Sequence, residues 1–215
     1  MGDDALITRR GIVAAGAGCA ALALAGGMAV ERSLDQSRAY AADSATAGAQ
    51  YGFLVKTRNC INCNNCVEAC RMWNRTPEAG PARRKITAYT DSIGRVRYVS
   101  TACMHCEDPA CLAVCPAGAI SKGEGGIVTV NKDRCIGCKY CAQACPFDAP
   151  HYYGDGMDKC DCCLGNGVPL GEKPHCVTAC PTGALRYGTL EELAKLGGGR
   201  AVRLEASTRP AFFTL

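Results

Sequence analysis

The sequence is poor in aromatic residues and in histidine. Its 215 residues include one Trp, four Phe, eight Tyr and three His. So few aromatic side chains leave little material for a conventional apolar core, and so few imidazoles argue against a histidine-rich metal site. Basic runs longer than three residues are also lacking, and the 24 basic and 20 acidic residues are interspersed. The net charge of +4 therefore gives no support to nucleic-acid binding.

The signatures of a substrate-binding active site are missing as well. The sequence offers no serine or cysteine nucleophile beside a base and no glycine-rich loop of the kind that holds nucleotide phosphates. With 48% hydrophobic and 20% charged residues, the composition is nevertheless that of a folded domain. These features predict a globular protein without substrate chemistry of its own.

The amino-terminal segment resembles an export signal. Arg9 and Arg10 precede an uncharged stretch, residues 11–30, that is rich in Ala and Gly. Ala39-Tyr40-Ala41 provides a small-x-small cleavage site, which predicts a twin-arginine signal over residues 1–41 and a flexible linker over residues 42–50. Cys19 is interpreted as an unliganded residue of the signal. The alternative is a retained membrane anchor, since about 20 residues are enough to cross a bilayer.

Cysteine is the residue present in excess, with 18 in the chain. Sixteen of them form four quartets, and Pro directly follows the last cysteine in three of the four. The first and third quartets have the spacing C-x2-C-x2-C-x3-C of bacterial ferredoxins, whereas the second has x4 and the fourth x12 in the middle gap. The quartets are Cys60, Cys63, Cys66 and Cys70; Cys103, Cys106, Cys111 and Cys115; Cys135, Cys138, Cys141 and Cys145; and Cys160, Cys163, Cys176 and Cys180.

This spacing favours [4Fe-4S] clusters over other uses of cysteine. Structural zinc needs two C-x2-C pairs for each ion, so the third and fourth cysteines of each quartet exceed its requirement. Disulfides between cysteines so near in sequence would close strained loops. In two-cluster ferredoxins the last cysteine of a quartet ligates the other cluster, so the quartets work in pairs. Four quartets therefore predict four clusters.

The cysteine pattern resembles that of the four-cluster iron–sulfur electron-transfer subunits of the molybdopterin oxidoreductase (dimethyl sulfoxide reductase) superfamily. That family includes the iron–sulfur subunits of polysulfide, thiosulfate and tetrathionate reductases and of nitrite-reductase complexes. The resemblance covers about residues 51–190. Its most specific stretches are Cys103-Met104-His105-Cys106-Glu107-Asp108-Pro109-Ala110-Cys111, Arg134-Cys135-Ile136-Gly137-Cys138-Lys139-Tyr140-Cys141 and Ala144-Cys145-Pro146-Phe147-Asp148-Ala149.

The resemblance implies how the cysteines are shared among the clusters. The first quartet pairs with the fourth, and the second pairs with the third. We call the four resulting ligand sets groups 1 to 4. Group 1 is Cys60, Cys63, Cys66 and Cys180; group 2 is Cys103, Cys106, Cys111 and Cys145; group 3 is Cys135, Cys138, Cys141 and Cys115; and group 4 is Cys160, Cys163, Cys176 and Cys70.

Several residues near the quartets allow more than one interpretation. Cys162 and Cys163 both follow Cys160 closely, and the x2 spacing favours Cys163 as the ligand and leaves Cys162 as a spare thiol. The three histidines are not expected to be ligands, because sixteen cysteines already complete four clusters. Nearby cations are expected either to offset the cluster charge or to lie solvated on the surface. They are Lys139, Lys159 and Arg71.

The remaining pattern predicts an α+β, ferredoxin-like fold with short strands, short helices and cysteine-rich loops. Strands are expected at residues 51–56, 96–99 and 127–130, and short helices at residues 142–145 and 177–180. Thr189 and Glu192 form a capping box for a helix that ends at Gly197–Gly199. The nesting of the quartets predicts two interlocked two-cluster lobes. One contains the motifs at 60–70 and 160–180 and the other those at 103–145, followed by a C-terminal helix and tail over residues 191–215.

The function implied by the resemblance is electron transfer within a hetero-oligomeric complex. The chain would be a non-catalytic subunit that relays electrons between a molybdopterin catalytic subunit and a membrane quinone-reactive subunit or a cytochrome. Its location would be periplasmic, or on the extracytoplasmic face of the membrane. The alternative is an independent soluble polyferredoxin. An iron–sulfur enzyme is disfavoured, because full cysteine ligation leaves no open iron site. The apolar C-terminal residues 209–215 either contact a partner or pack on their own domain.

Overall fold

The computed structural model describes residues 48–77, 80–154 and 156–215. The predicted signal segment, Cys19 and most of the predicted linker lie outside the described residues. Within the described ranges, no helix is both long enough and apolar enough to span a membrane.

A four-stranded sheet joins the two ends of the described chain. Its strand order is β8-β1-β10-β9, where β1 is Tyr51–Val55, β8 is Leu185–Thr189, β9 is Val202–Arg203 and β10 is Phe212–Thr214. Strand β1 runs antiparallel to β8 and parallel to β10. Gly52 permits this close pairing, because a Cβ atom there would lie 2.1 Å from the carbonyl oxygen of Ala211. The C-terminal residues therefore pack on their own domain, with Phe212 and Phe213 buried.

Three two-stranded antiparallel pairs surround the cysteine loops. Strands β2 (Lys85–Thr90) and β3 (Val96–Thr101) form a hairpin, in which most of β2 is exposed to solvent. The other two pairs are shorter. They are β4 (Ile120–Lys122) with β5 (Val128–Val130) and β6 (His151–Tyr152) with β7 (Met157–Asp158).

Five short α-helices complete the described fold, and four of them carry cysteines. Those four are α1 (Asn65–Asn74), α2 (Ala110–Ala113), α3 (Tyr140–Ala144) and α4 (His175–Thr178). Helix α1 packs against α4, and α2 packs against α3. The first and fourth quartets are therefore neighbours, and so are the second and third.

The predicted secondary structure is confirmed where the sequence pattern was strong. The expected strands appear as β1, β3 and β5, and the two expected short helices begin two residues early, as α3 and α4. The fifth helix, α5 (Leu190–Lys195), begins at the predicted capping box, in which the Thr189 hydroxyl accepts from the backbone N–H of Glu192. These elements form an α+β fold.

The core is built partly of cysteine. Its largest cluster combines Phe53, Val55 and Phe212 with cysteines from three of the four quartets. A second cluster places Ile120, Val128 and Met157 around Cys141. A third lies under helix α5 and contains Leu54, Leu193 and Phe213. Strand β1 is consequently buried on both faces.

Candidate metal centres

The described cysteines are all free thiols. None of the seventeen from Cys60 to Cys180 forms a disulfide, and eight of the seventeen are buried. A protonated cysteine is a small apolar residue. So many thiols gathered at a few places are instead typical of metal sites, in which the thiolate form binds a cation.

The group 1 cysteines line one cavity at the surface. Cys60, Cys63, Cys66 and Cys180 surround about 340 Å³ of empty space, together with apolar side chains such as Val55 and Leu185. Two donors lie next to the thiols. The Ser100 hydroxyl oxygen is 3.3 Å from Cys66 Sγ, and the Leu185 N–H donates to Cys180 Sγ at 3.4 Å.

The group 3 cysteines line a similar cavity on a different part of the molecule. Cys115, Cys135, Cys138 and Cys141 surround about 300 Å³. Backbone N–H groups again point at the sulfurs, since Ala119 donates to Cys115 Sγ at 3.3 Å and Met157 to Cys135 Sγ at 3.4 Å. The Tyr152 hydroxyl oxygen lies 2.9 Å from Cys141 Sγ. Hydrogen bonds to the sulfurs are one of the means by which a protein tunes an iron–sulfur cluster.

The group 4 cysteines converge in the interior. Burial raises the pKa of the Cys176 thiol to about 12, with Cys160 and Cys163 adding to the rise and Arg84 opposing it. Burial also raises the pKa of Cys70, and the other three thiols of the group, Cys160, Cys163 and Cys176, add to that rise. Each of these four cysteines is buried.

The group 2 cysteines are likewise close to one another. Burial raises the pKa of Cys111 to about 12, and the other three members of the group, Cys103, Cys145 and Cys106, add to the rise. Burial, Cys103 and Cys145 also raise the pKa of the Cys106 thiol. Thiolates that raise one another's pKa values bind protons tightly, unless a metal cation replaces the protons. The donor set, four thiols at each of four places, therefore suits iron–sulfur clusters.

The first C-x2-C loop of every quartet has the same backbone feature. The residue directly before the second cysteine has a left-handed conformation, with φ of 56° at Asn62, 42° at His105, 68° at Gly137 and 57° at Cys162. This conformation is uncommon for residues other than Gly and Asn, so its repetition indicates that the four loops are equivalent. Cys162 thus occupies the loop position that Asn62 and Gly137 occupy elsewhere, and Cys163 occupies the position of a second cysteine.

Cys162 has its own partners in the interior. The backbone N–H of Val128 donates to His105 Nδ1 at 3.1 Å, which leaves His105 Nε2 to carry the ring proton. Nε2 lies 3.2 Å from Cys162 Sγ and donates to it. Potential ligand atoms of His105, Cys160 and Cys162 all lie within 4.8 Å of one another, and these residues are buried.

Neither of the other two histidines joins such a group of potential ligand atoms among the described residues. The ring of His175 stacks on Trp73 with centroids 4.0 Å apart. His151 is half-buried beside residues 82–85, in a small cavity that contains no cysteine.

Arg84 is the functional candidate that the sequence did not suggest. Its side chain is 1% exposed and donates to the Ser100 carbonyl and hydroxyl oxygens, while Nε and Nη2 have no hydrogen-bond partner among the residues that the structure describes. Burying unpaired guanidinium donors is costly unless something accepts from them. Electrostatic interaction with the Cys176, Cys160, Cys66 and Cys70 sulfurs raises the pKa of Arg84, although burial opposes the rise. A sulfur-rich anionic cluster fits this environment.

The three cations named from the sequence have different environments. Lys159 is buried, with Nζ 3.5 Å from Cys103 Sγ and 2.9 Å from the Cys160 carbonyl oxygen. Lys139 is exposed at the rim of the group 3 cavity. Arg71 instead donates to the carbonyl oxygens of Pro77 and Gly80.

The contacts between groups give them an order. Groups 1 and 4 meet at helix α1, which carries Cys66 and Cys70 one turn apart. Groups 4 and 2 meet at Lys159. Groups 2 and 3 meet where α2 packs against α3. The order is therefore 1-4-2-3, and the first and last groups each have an exposed cysteine, Cys63 or Cys138.

Comparisons with known proteins identify the family of this chain. Two family models, both described as 4Fe-4S dicluster domains, match residues 59–120 and 95–190. The B subunit of anaerobic dimethyl sulfoxide reductase from Escherichia coli is 42% identical over 71% of this chain and 80% of the relative. Thiosulfate reductase electron transfer subunit PhsB of Salmonella typhi is 39% identical over 66% of this chain and 78% of the relative. The nitrate-inducible formate dehydrogenase iron-sulfur subunit of Escherichia coli is 36% identical over 74% of this chain and 60% of the relative.

Proposed function

We propose, since this chain belongs to the family of iron–sulfur electron-transfer subunits of the molybdopterin oxidoreductases, that it holds four [4Fe-4S] clusters in a line and relays electrons along them. That it binds [4Fe-4S] clusters and transfers electrons follows from the family. The number of clusters, their ligands and the partners at each end are our proposal.

One observation carries the proposal of four clusters. Sixteen thiols converge as four sets of four, with each set taking three cysteines from one quartet and the last cysteine from another. Cluster 1 takes group 1, and clusters 2, 3 and 4 take the groups with the same numbers. The packing of α1 on α4 and of α2 on α3 supports two interlocked two-cluster lobes within residues 51–190.

The two ends of the line are suited to redox partners. At cluster 1, Ile61 is 62% exposed and lies on the loop between Cys60 and Cys63. At cluster 3, Ile136 is 69% exposed at the equivalent position between Cys135 and Cys138. Exposed apolar side chains beside exposed ligands are typical of contact surfaces. We therefore expect an electron to enter from a partner bound at one end and to leave to a partner bound at the other.

The relatives are subunits of reductase and dehydrogenase complexes, which supports our proposal that this chain has partners. One end contacts a molybdopterin-containing catalytic subunit, and the other contacts a membrane quinone-reactive subunit or a cytochrome, so that the chain functions in a hetero-oligomer. The twin-arginine motif directs the loaded chain to the extracytoplasmic face of the membrane. Replacing Arg9 and Arg10 together with Lys is expected to retain the chain in the cytoplasm, as measured by cell fractionation.

The partners are tested by anaerobic affinity purification from solubilised membranes, with metal analysis and mass spectrometry of the proteins that co-elute. The expected result is a large partner that carries molybdenum or tungsten. Ile61→Glu and Ile136→Glu serve as a matched pair, since each disturbs one end, and each is expected to release a different partner without loss of iron. Recovery of the loaded chain alone would favour the soluble polyferredoxin instead.

A further inference from the structure

Two buried cations lie between the cysteine groups, and neither has a carboxylate partner among the described residues. Arg84 is 1% exposed and Lys159 is 2% exposed. The ion pairs of neighbouring side chains involve Arg83 and Lys132 with Asp158, not these two residues. A buried charge without a counter-charge is strongly unfavourable, so the negative charge that balances each cation has to come from the cysteine sites.

Arg84 faces two cysteine groups at once. Its Nη1 donates to the Ser100 hydroxyl oxygen at 3.1 Å, and that oxygen lies 3.3 Å from Cys66 Sγ of group 1. On its other side are the buried thiols of group 4, since electrostatic interaction with Cys176, Cys160 and Cys70 raises the pKa of Arg84. The guanidinium also lies 4.7 Å from the centroid of the Phe53 ring, which fixes it in place.

Lys159 occupies the corresponding place between groups 4 and 2. Its Nζ donates to Cys103 Sγ of group 2 at 3.5 Å and to the carbonyl oxygen of Cys160 of group 4 at 2.9 Å. A third bond goes to the carbonyl oxygen of Val128. The Lys159 ammonium group therefore contacts a sulfur of group 2 and the backbone of a group 4 ligand.

We propose that Arg84 and Lys159 are fixed cations that raise the reduction potentials of the clusters they adjoin, Arg84 those of clusters 1 and 4 and Lys159 those of clusters 4 and 2. This inference rests on the proposed four-cluster function. Reduction adds one negative charge to a cluster, and a nearby positive charge stabilises the added charge. Cluster 4 adjoins both cations and cluster 3 adjoins neither.

The four clusters along the line are therefore expected to differ in reduction potential. These two charges favour an electron on cluster 4 most, on clusters 1 and 2 less, and on cluster 3 least. Lys139 lies near cluster 3, but it is exposed, so solvent screens its charge. Electrons are thus held in the interior of the chain, away from the two solvent-exposed ends.

The test is an EPR-monitored redox titration of the full, cluster-loaded chain. Arg84→Met and Lys159→Met each remove one charge, because they replace a charged side chain with an uncharged, unbranched one of similar length. Arg84→Lys retains the charge, and Arg95→Gln removes a cation from the exposed turn of the β2–β3 hairpin. Each buried-charge variant is expected to shift two of the four couples to lower potential by at least a tenfold change in equilibrium, which is about 59 mV for a one-electron couple.

The pattern of shifts decides the result. One couple is expected to shift in both Met variants and one in neither, while Arg84→Lys and Arg95→Gln leave all four unchanged. Equal shifts of every couple, or no shift, would overturn the inference. If Arg84→Met does not load with clusters, Lys159→Met and Arg84→Lys still decide, since only a charge effect gives two shifted couples in one and none in the other. Fewer than four couples in the parent chain would instead contradict the proposed function.

Discussion

At the scale of single residues, the two adjacent cysteines after Asp161 differ in their position in the cluster loop. Both have left-handed backbone, but Cys162 lies directly before the position of a second ligand and accepts from His105, whereas Cys163 occupies that ligand position. Cys162→Ser is therefore expected to leave the cluster content unchanged, and Cys163→Ser to lose or convert one cluster. Iron analysis and EPR measure both. Loss of a cluster in Cys162→Ser alone would show that the ligand assignment is reversed.

The crossed sharing of ligands can also be tested residue by residue. Cys66 and Cys70 lie on the same helix, one turn apart, yet they belong to groups 1 and 4. Cys70→Ser and Cys176→Ser are expected to abolish the same EPR signal, because both residues belong to group 4. Cys66→Ser is expected to abolish a different one. If Cys66→Ser and Cys70→Ser affect one and the same cluster, the sharing is local and our grouping is wrong.

The sequence predicted the cysteines but not the residues that surround them. The quartets are visible because cluster ligation imposes short, fixed spacings on the chain. Arg84 lies within the run Arg83-Arg84-Lys85, which has the appearance of surface charge. Its burial depends on Phe53 and Ser100, which are distant in sequence, so no local pattern indicates it. Tyr152, beside Cys141, was missed for the same reason.

At the scale of secondary-structure elements, the capping box of α5 offers a test of local stability. The Thr189 hydroxyl accepts from the Glu192 N–H at 3.2 Å, and the Glu192 carboxylate accepts from the Thr189 N–H at 2.9 Å. Thr189→Ala is expected to lower the free energy of unfolding by about 1 kcal/mol, without loss of iron. Chemical denaturation measures the change. Thr87→Ala, on exposed strand β2, is the control and is expected to stay within about 0.5 kcal/mol; equal effects would argue against the cap.

Elements with a strong local signal were predictable, and those made by tertiary pairing were not. Strand β1 is a short run of consecutive apolar residues, and α5 has a cap and a glycine stop. Strand β10, by contrast, forms because Phe212 pairs with Phe53, some 160 residues away. The sequence left the C-terminal tail open between a partner and its own domain. Only the tertiary pairing decides between them.

At the scale of the whole molecule, the core depends on what the cysteines bind. Cysteines contribute to two of the three hydrophobic clusters, and the two buried cations lack carboxylate partners within the described ranges. Removing iron with a chelator under reducing conditions is therefore expected to lower the melting temperature and to abolish the near-ultraviolet circular dichroism. Restoring iron and sulfide should recover both. An iron-free chain with the original melting temperature would show that the protein core suffices.

The central claim is that sixteen cysteines hold four clusters. Its most direct test is the iron and acid-labile sulfide content of anaerobically purified chain, combined with Mössbauer spectroscopy of the same sample. We predict about sixteen iron and sixteen sulfide atoms per chain, all in cubane clusters. A loaded, folded chain with well under that content, or with zinc at one of the four cysteine groups, would contradict the account.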